Sequence, residues 1–331
     1  MIKQKTIAIY DADILSYRAS AAIEQRTIEV LHKKSSRTKA FKTRTEFKAL
    51  LLGKGLEYIE DDYVITDKQE AEDVSHALQI MKSQIQRINE ELKVDEHLLF
   101  ISGKTNFRDS LPLPTKYKSN RSELLRPIHL TESKNYLINV QKAQVVELAE
   151  PDDRVIQVGY EYKAKGYKVI LVTQDKDAFA YSGLHLYDFT KDNPKVVLIP
   201  ELGYLQPDSK GKIRGMGFLW FCMQFLVGDA TDGFKPTELC KVKFGEKSAY
   251  KLLKDCQSER EALEICLQKY QEWYPEFVVF TDWSGKEQQM SHIQIMDMYF
   301  KCCRMLSTFK DDLDVVKFFA KYDIKLKENN D

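Results

Sequence analysis

Glycine and proline are scarce in this chain, at 14 and 9 of 331 residues, which excludes collagen-like repeats and long disordered linkers. Cysteine is sparse too. Cys222, Cys240, Cys256, Cys266, Cys302 and Cys303 all fall in the C-terminal third without a CxxC pair. They read as reduced core thiols, giving neither a zinc site nor a disulfide frame. No hydrophobic run is long enough for a membrane: the longest, Gly217–Val227, covers about 11 residues against the ~20 of a bilayer span. It reads as a buried helix, and no membrane partner is expected. The opening MIKQKTIAIYDAD lacks the apolar core and cleavage site of a secretory signal and reads as a first strand. An excess of one charge is also missing, with 50 Lys+Arg against 50 Asp+Glu. Taken as a whole, that balance argues against a uniformly basic surface for polyanions.

What is present begins with a 43% hydrophobic fraction, enough to fill the core of one large domain or two intimate ones. The neutrality then breaks up along the chain. Between Lys33 and Lys54, eight basic residues face Glu46 alone, a net of +7. Between Ile101 and Val145, eight face Asp109, Glu123 and Glu132, a net of +5. Acids gather in four short clusters: Asp11/Asp13, Glu150/Asp152/Asp153, Asp175/Asp177 and Asp229/Asp232. A basic block by itself is an ordinary solvated face; two of them interleaved with four tight acidic clusters are less common.

The clusters recur at similar places in the local pattern. Thr6–Tyr10 and Lys168–Thr173 are unbroken β-branched and apolar runs, as in strands buried on both faces of a parallel sheet, and each is followed by acids. His97–Ile101 is a third such run. Ala71, Val74, Ala77, Leu78, Met81, Ile85, Ile88 and Leu92 recur at helical spacing. The alternation predicts a doubly wound α/β core, whose working groups gather at the carboxyl ends of the strands. Glu150-Pro151-Asp152-Asp153 reads as a helix start, where proline and carboxylates are favoured. A plain N-terminal cap there, and a plain turn at Gly228–Gly233, remain open as bland readings.

Nine acids converging on one pocket would raise each other's pKa unless countercharged. Hard divalent cations are the natural partners, and Mg²⁺ prefers oxygen ligands. Two such ions about 4 Å apart stabilise the attacking and leaving oxygens of phosphodiester hydrolysis. Basic blocks beside the pocket would hold a polyanion, which makes nucleic acid the leading substrate. Asp11-Ala12-Asp13 also fits the start of a haloacid-dehalogenase-like phosphatase, but Leu15 stands where those enzymes usually have Thr or Val.

The ordered set Asp11, Asn106-Phe107-Arg108, Tyr117-Lys118-Ser119-Asn120-Arg121, Glu150-Pro151-Asp152-Asp153, Thr173-Gln174-Asp175-Lys176-Asp177 and Gly228-Asp229-Ala230-Thr231-Asp232-Gly233 resembles the phage 5′→3′ exonucleases of the flap-endonuclease superfamily. That superfamily includes the 5′-nuclease domain of bacterial DNA polymerase I. The resemblance implies a PIN-like (resolvase-like), mainly parallel sheet with a helical arch and a helix–three-turn–helix-like element. It places a nuclease core at 1–228, with a basic insertion at 26–67 and an arch or clamp at 104–135, and a helical DNA-binding region at 229–331. Asp11, Glu150, Asp152 and Asp153 then match the catalytic-metal ligands, and Asp175, Asp177, Asp229 and Asp232 those of a second metal. Lys118 and Arg121 would contact phosphate and stabilise charge at the scissile bond, with Tyr117 stacking or packing beside them. Lys104 and Arg108 are further phosphate candidates. In the hairpin, Lys247 and Lys251 would face duplex backbone, although Lys243 stands where the family has a glycine.

One departure stands out. The family carries an acid near the end of the third strand, where this chain reads Ile101-Ser102-Gly103-Lys104-Thr105. Asp13 is the candidate to replace it; otherwise it is a helix cap. The expected activity is Mg²⁺- or Mn²⁺-dependent cleavage, with two ions, near free 5′ ends of DNA or RNA–DNA hybrid. The expected setting is phage DNA replication: cytoplasmic, as a monomer, with replication proteins as further partners. The alternative is a nuclease-like nucleic-acid binder that has lost its chemistry.

Overall fold

The structure, a computed structural model, describes residues 4–121, 125–308, 310 and 313–327. Strand β1 (Thr6–Asp11) runs directly into helix α1 (Ala12–Ala22). Then come β2 (Glu24–His32), β3 (Arg37–Phe41), α2 (Arg44–Gly53) and β4 (Tyr63–Ala71). The apolar repeat ending at Leu92 forms α3 (Val74–Leu92), which feeds β5 (Glu96–Asn106). After α4 (Leu130–Asn139) and β6 (Gln144–Leu148), α5 (Pro151–Ala164) begins at the expected proline and leads to β7 (Lys168–Val172). Short strands β8 (His185–Tyr187) and β9 (Val196–Leu198) and the hairpin of β10 (Tyr204–Pro207) and β11 (Ile213–Met216) follow. The rest is α6 (Phe218–Val227), α7 (Glu246–Leu253), α8 (Glu259–Trp273), the hairpin of β12 (Val278–Thr281) and β13 (Glu287–Met290), α9 (His292–Cys303) and α10 (Val315–Ala320).

The main sheet has the order β6-β5-β1-β7-β8-β9 and is parallel except for β9. This is the doubly wound, mainly parallel α/β architecture that the strand pattern predicts. Ile7, Ala8, Ile9 and Tyr10 are fully buried in the centre, which is why β1 shows no polar alternation. From β1 the chain winds to β5 and β6 on one side, then returns to β7 and β8 on the other. Winding reverses between β1 and β7, and in such sheets the crevice beyond the carboxyl ends at that point is where ligands bind.

The chain divides into two compact units: Met1–Asp13, Ile88–Leu124 and Lys142–Asp331 make the first, Ile14–Arg87 and Leu125–Gln141 the second. The expected boundary at 228/229 is not where this division falls, since α6, the turn after it and α7 all belong to the unit that holds the main sheet. In that unit one core joins Ile7, Ile9, Phe100, Val155, Ile156 and Leu171. Another surrounds α6, with Phe221 and Phe225 packed against Tyr270, Phe300 and Phe318. Each such side chain contributes about 1.5–3 kcal/mol by leaving water. Gly217–Val227 is thus a buried helix as expected, and among the described residues no helix is long and apolar enough to cross a membrane. The six cysteines are unbridged and five are buried.

In the second unit, the stretch 26–67 supplies α2 and most of a three-stranded antiparallel sheet ordered β3-β2-β4. Helix α2 lays Phe47 and Leu51 on Ile28, Val30 and Phe41, a small core of its own.

Two expectations need correction. No helical arch occurs over 104–135 among the described residues: from Phe107 to the start of α4 there are only short 3₁₀ turns at Phe107–Ser110 and Ser119–Arg121. Pro112, Pro114 and Pro127 withhold amide donors and hold their predecessors extended. Residues 122–124 of that segment lie outside the described residues. In the hairpin region, α7 is the expected second helix, but residues 235–245 before it are turns and irregular chain.

Candidate metal centre

Four chain segments bring acids to the carboxyl end of the sheet. Asp11 terminates β1, and Asp175 and Asp177 follow β7, so both strands flanking the winding reversal end in carboxylates. Asp152 and Asp153 occupy the first turn of α5, with Glu150 as its N-cap. Asp229 and Asp232 sit in the turn after α6. Gly228 permits that turn: its φ is +79°, and a Cβ there would lie 2.4 Å from the Phe234 carbonyl oxygen. The Asp229 and Phe234 amides and carbonyls close the turn reciprocally at 3.0 and 3.1 Å.

The electrostatics show a cluster short of cations. Burial pushes the Asp11 carboxyl up to about 8, with Asp13 and Asp175 adding repulsion. Asp152 is raised well above the ordinary range by burial, then by Asp11, Asp175 and Glu150. Asp177 is raised by burial and by Asp175 and Asp232. Asp152 Oδ1 is buried without a hydrogen-bond partner, a costly state for a carboxylate oxygen. One oxygen each from Asp177, Asp229 and Asp232 lies within 4.8 Å of the others, a spacing that suits one metal ion. An all-oxygen, acid-rich donor set with an unsatisfied oxygen fits a hard divalent cation.

Cations touch the rim of this cluster. Lys118 bonds Glu150 and lies 3.7 Å from Asp232, while Arg121 pairs with Asp232. Tyr117 is buried, and its hydroxyl shares its one proton between Asp232 at 2.9 Å and Glu150 at 3.2 Å. It bridges acids 82 positions apart in sequence and is no stacking platform. Adjacent residues can both turn inward because Lys118 adopts φ +55°, with its amide held by the Asp232 carbonyl at 2.8 Å. Such backbone is tolerated where surroundings over-determine it.

Two candidates have a different part. Asp153 is fully buried, and all its acceptor capacity is used: Arg108 donates to both oxygens at 2.6 and 3.0 Å, with the Glu150 and Leu306 amides at 3.0 and 2.9 Å. Arg108 is 2% exposed and also donates to the carbonyls of Lys301 and Arg304. The expectation of a metal ligand at Asp153 and a phosphate contact at Arg108 is therefore corrected. They form a buried ion pair that fixes the start of α5. Neighbours on a helix point about 100° apart, so Asp152 can face the acids while Asp153 faces the interior.

Around the missing third-strand acid, Asp13 Oδ2 accepts from the Ser102 amide at 3.2 Å, which brings its carboxylate to the C-terminal half of β5. Glu147, not foreseen, binds the Lys104 and Thr105 amides at 3.0 and 3.3 Å. The Lys104 side chain is exposed, as are Lys247 and Lys251, one turn apart on α7 opposite buried Ala249 and Leu253. Sequence reading also missed Lys176, which pairs with Asp229 at 2.8 Å and holds its carboxyl below the usual range despite burial. It missed Gln224 too, which donates to Asp177 from α6. Gln224 had a readable signal, as the lone polar residue in an apolar helix.

No protein-family model matches the chain. A 5′-3′ exonuclease of Buchnera aphidicola subsp. Schizaphis graminum is 26% identical over 162 residues, which is 47% of this chain and 51% of that protein. The chain thus spans about half the length of the curated relative it matches. Among solved structures, the bacteriophage T5 D15 protein co-crystallised with metal ions aligns over 96% of this chain and 97% of its own, with a TM-score of 0.43 and 12% identity. The T5 D15 flap endonuclease in a pseudo-enzyme–product complex with DNA and metal ions gives 0.46 and 13% over 96% and 98%.

Proposed function

We propose that this chain is a divalent-metal-dependent 5′→3′ exonuclease or flap endonuclease that hydrolyses phosphodiesters near free 5′ ends of DNA or RNA–DNA hybrid. Primer or flap removal in phage DNA replication is the matching role. One observation carries the reading: acids from four separate segments meet beyond β1 and β7 around an unsatisfied Asp152 oxygen, with Lys118 and Arg121 at their rim. The named exonuclease relative supports it over the matched part of the chain.

Asp11, Glu150, Asp152 and Asp175 would hold one Mg²⁺ or Mn²⁺, and Asp177, Asp229 and Asp232 a second. Bound there, such ions activate water and neutralise charge on the phosphate. Asp13 supports Asp11 through its own amide, which donates to Asp11 Oδ1 at 3.1 Å. Tyr117 keeps Glu150 and Asp232 in fixed relation. Lys118 and Arg121 are engaged by carboxylates in the structure; with the acids neutralised, they become free to grip phosphate oxygens, Arg121 as a planar fork and Lys118 as a point charge.

The test is cleavage of 5′-flap, nicked, single-stranded and RNA–DNA substrates with Mg²⁺, Mn²⁺ or chelator, beside Asp152→Asn. The expected result is metal-dependent cleavage, lowered at least about tenfold by the substitution. No cleavage of any substrate by the wild-type chain would overturn the proposal.

A further inference from the structure

The basic block at 33–54 takes no part in the metal centre, yet its charges are arranged. In and around the sheet β3-β2-β4, four cations are already matched: Arg26 with Glu24 at 2.5 Å, Lys34 with Asp62 at 2.8 Å, Arg44 with Asp67 at 2.6 Å and Lys68 with Glu29 at 3.4 Å. By contrast Arg37, Lys39, Lys42, Lys48 and Lys54 are exposed and form no ion pair among the described residues. Acids that could neutralise them are placed elsewhere. Glu60 and Asp61 lie in the turn before β4, the opposite edge of the sheet from β3, and Glu46 is occupied by the Lys42 amide.

Three of the unmatched cations, Arg37, Lys39 and Lys48, stand near aromatic rings. Arg37 pairs with His32 and Lys39 with Val30, on the face that carries Phe41 and receives α2. The rings of His32, Tyr63 and Tyr58 follow one another at 5.2 and 6.0 Å, the last two stacked at 14°. Lys39 Nζ lies 5.2 Å from the Phe41 centroid and Lys48 Nζ 4.4 Å from that of Tyr58. Same-face side chains repeat every ~6.8 Å along a strand, twice the ~3.4 Å rise per phosphate of one nucleic-acid strand. Lysines on an edge strand also discourage edge-to-edge pairing. That role would explain β3 alone, whereas Lys48 and Lys54 belong to α2 and its C-cap.

We infer that the β3 edge and α2 form a second nucleic-acid-binding surface, gripping the phosphate backbone through Arg37, Lys39, Lys42, Lys48 and Lys54 independently of the metal centre. The inference rests on the proposed function only in taking nucleic acid as the polyanion.

The test is fluorescence anisotropy of single-stranded and duplex DNA with the full chain in chelator, where no cleavage occurs, across a salt series. Replacing Arg37, Lys39 and Lys48 together by Gln should weaken binding at least tenfold. On the single strand it should flatten the slope of log affinity against log salt by about 2, since each phosphate contact contributes ~0.7. Lys42→Gln with Lys54→Gln, two cations that contact no ring, should flatten it by about 1.4. Arg37→Lys/Lys39→Arg/Lys48→Arg should retain the wild-type slope. Wild-type affinity and slope in both neutral variants would overturn the inference. So would absence of DNA binding by the wild-type chain at low salt, or capture by phosphatidylserine vesicles with DNA binding unaltered. Loss of binding in the variants beside a wild-type chain that cleaves nothing would sustain this surface while removing the proposed function.

Discussion

Asp153→Asn separates a structural acid from a metal-binding one. The substitution keeps the shape but removes the charge that neutralises Arg108. Burial opposes the guanidinium's charge, yet Asp153 outweighs it and holds the pKa well above its ordinary value. With that support gone the guanidinium still keeps its proton, as arginine does throughout proteins, so the variant strands a cation in the interior. Breaking a buried pair from one side costs about 3–5 kcal/mol. Glu150, 3.5 Å from Arg108 Nη1, compensates in part, so ~3 kcal/mol is expected. At about 2.1 cal/mol/K of unfolding entropy per residue, 331 residues turn that into a loss of about 4 °C. Thermal melts in chelator measure it, and Mn²⁺ calorimetry on the folded variant should give near-wild-type affinity. Arg108→Met combined with Asp153→Leu should recover most of the loss, because deleting both charges spares the interior an unpaired ion. An unchanged melt accompanied by lost Mn²⁺ binding would refute the reasoning and return Asp153 to the metal site.

Three further outcomes are expected. The Asp11 carboxyl stands at about 8 instead of its ordinary 3.8, so the fold favours the protonated acid and stability contributed below ~4 is lost as pH rises towards ~8. The melting temperature with Mg²⁺ minus that with chelator should accordingly widen across this window; a constant difference would show that metal does not relieve the cluster. Asp13→Ala should lower metal-dependent cleavage at least about tenfold if it serves for the missing third-strand acid, and unchanged cleavage would reduce it to a cap. Tyr117→Phe removes a hydrogen bond shared between two carboxylates and should cost about 1.5–3 kcal/mol of stability, read by denaturant unfolding.

The sheet was legible in the sequence because strands buried on both faces cannot alternate, as Thr6–Tyr10 and Lys168–Val172 do not. The start of α5 was legible from Pro151, and the burial of α6 from its apolar run. Depth was not. Asp152 and Asp153 are adjacent and chemically alike, and only tertiary structure decides which one faces the acids and which the interior. Arg108 is 45 residues from Asp153, a separation on which no local pattern reports. The arch expected over 104–135 came from the resemblance, which did not weigh the effect of Pro112, Pro114 and Pro127 on this chain's backbone. Asp13 carries its message through Ser102, 89 positions away.

The ties of Arg108 and Asp153 to residues 301–306 set an order of events during synthesis. The turn that aims Asp152 is completed by the carbonyls of Lys301 and Arg304 and the amide of Leu306, the last of which is made 153 residues after Asp153. At ~5–20 residues per second, that interval is on the order of ten seconds. Until it has passed, Arg108 and Asp153 can have each other but lack the carbonyls and the amide that complete their hydrogen bonding. The hydrogen bonding behind the first turn of α5, which carries Asp152, is thus complete only after the C-terminal helix α9 has been made.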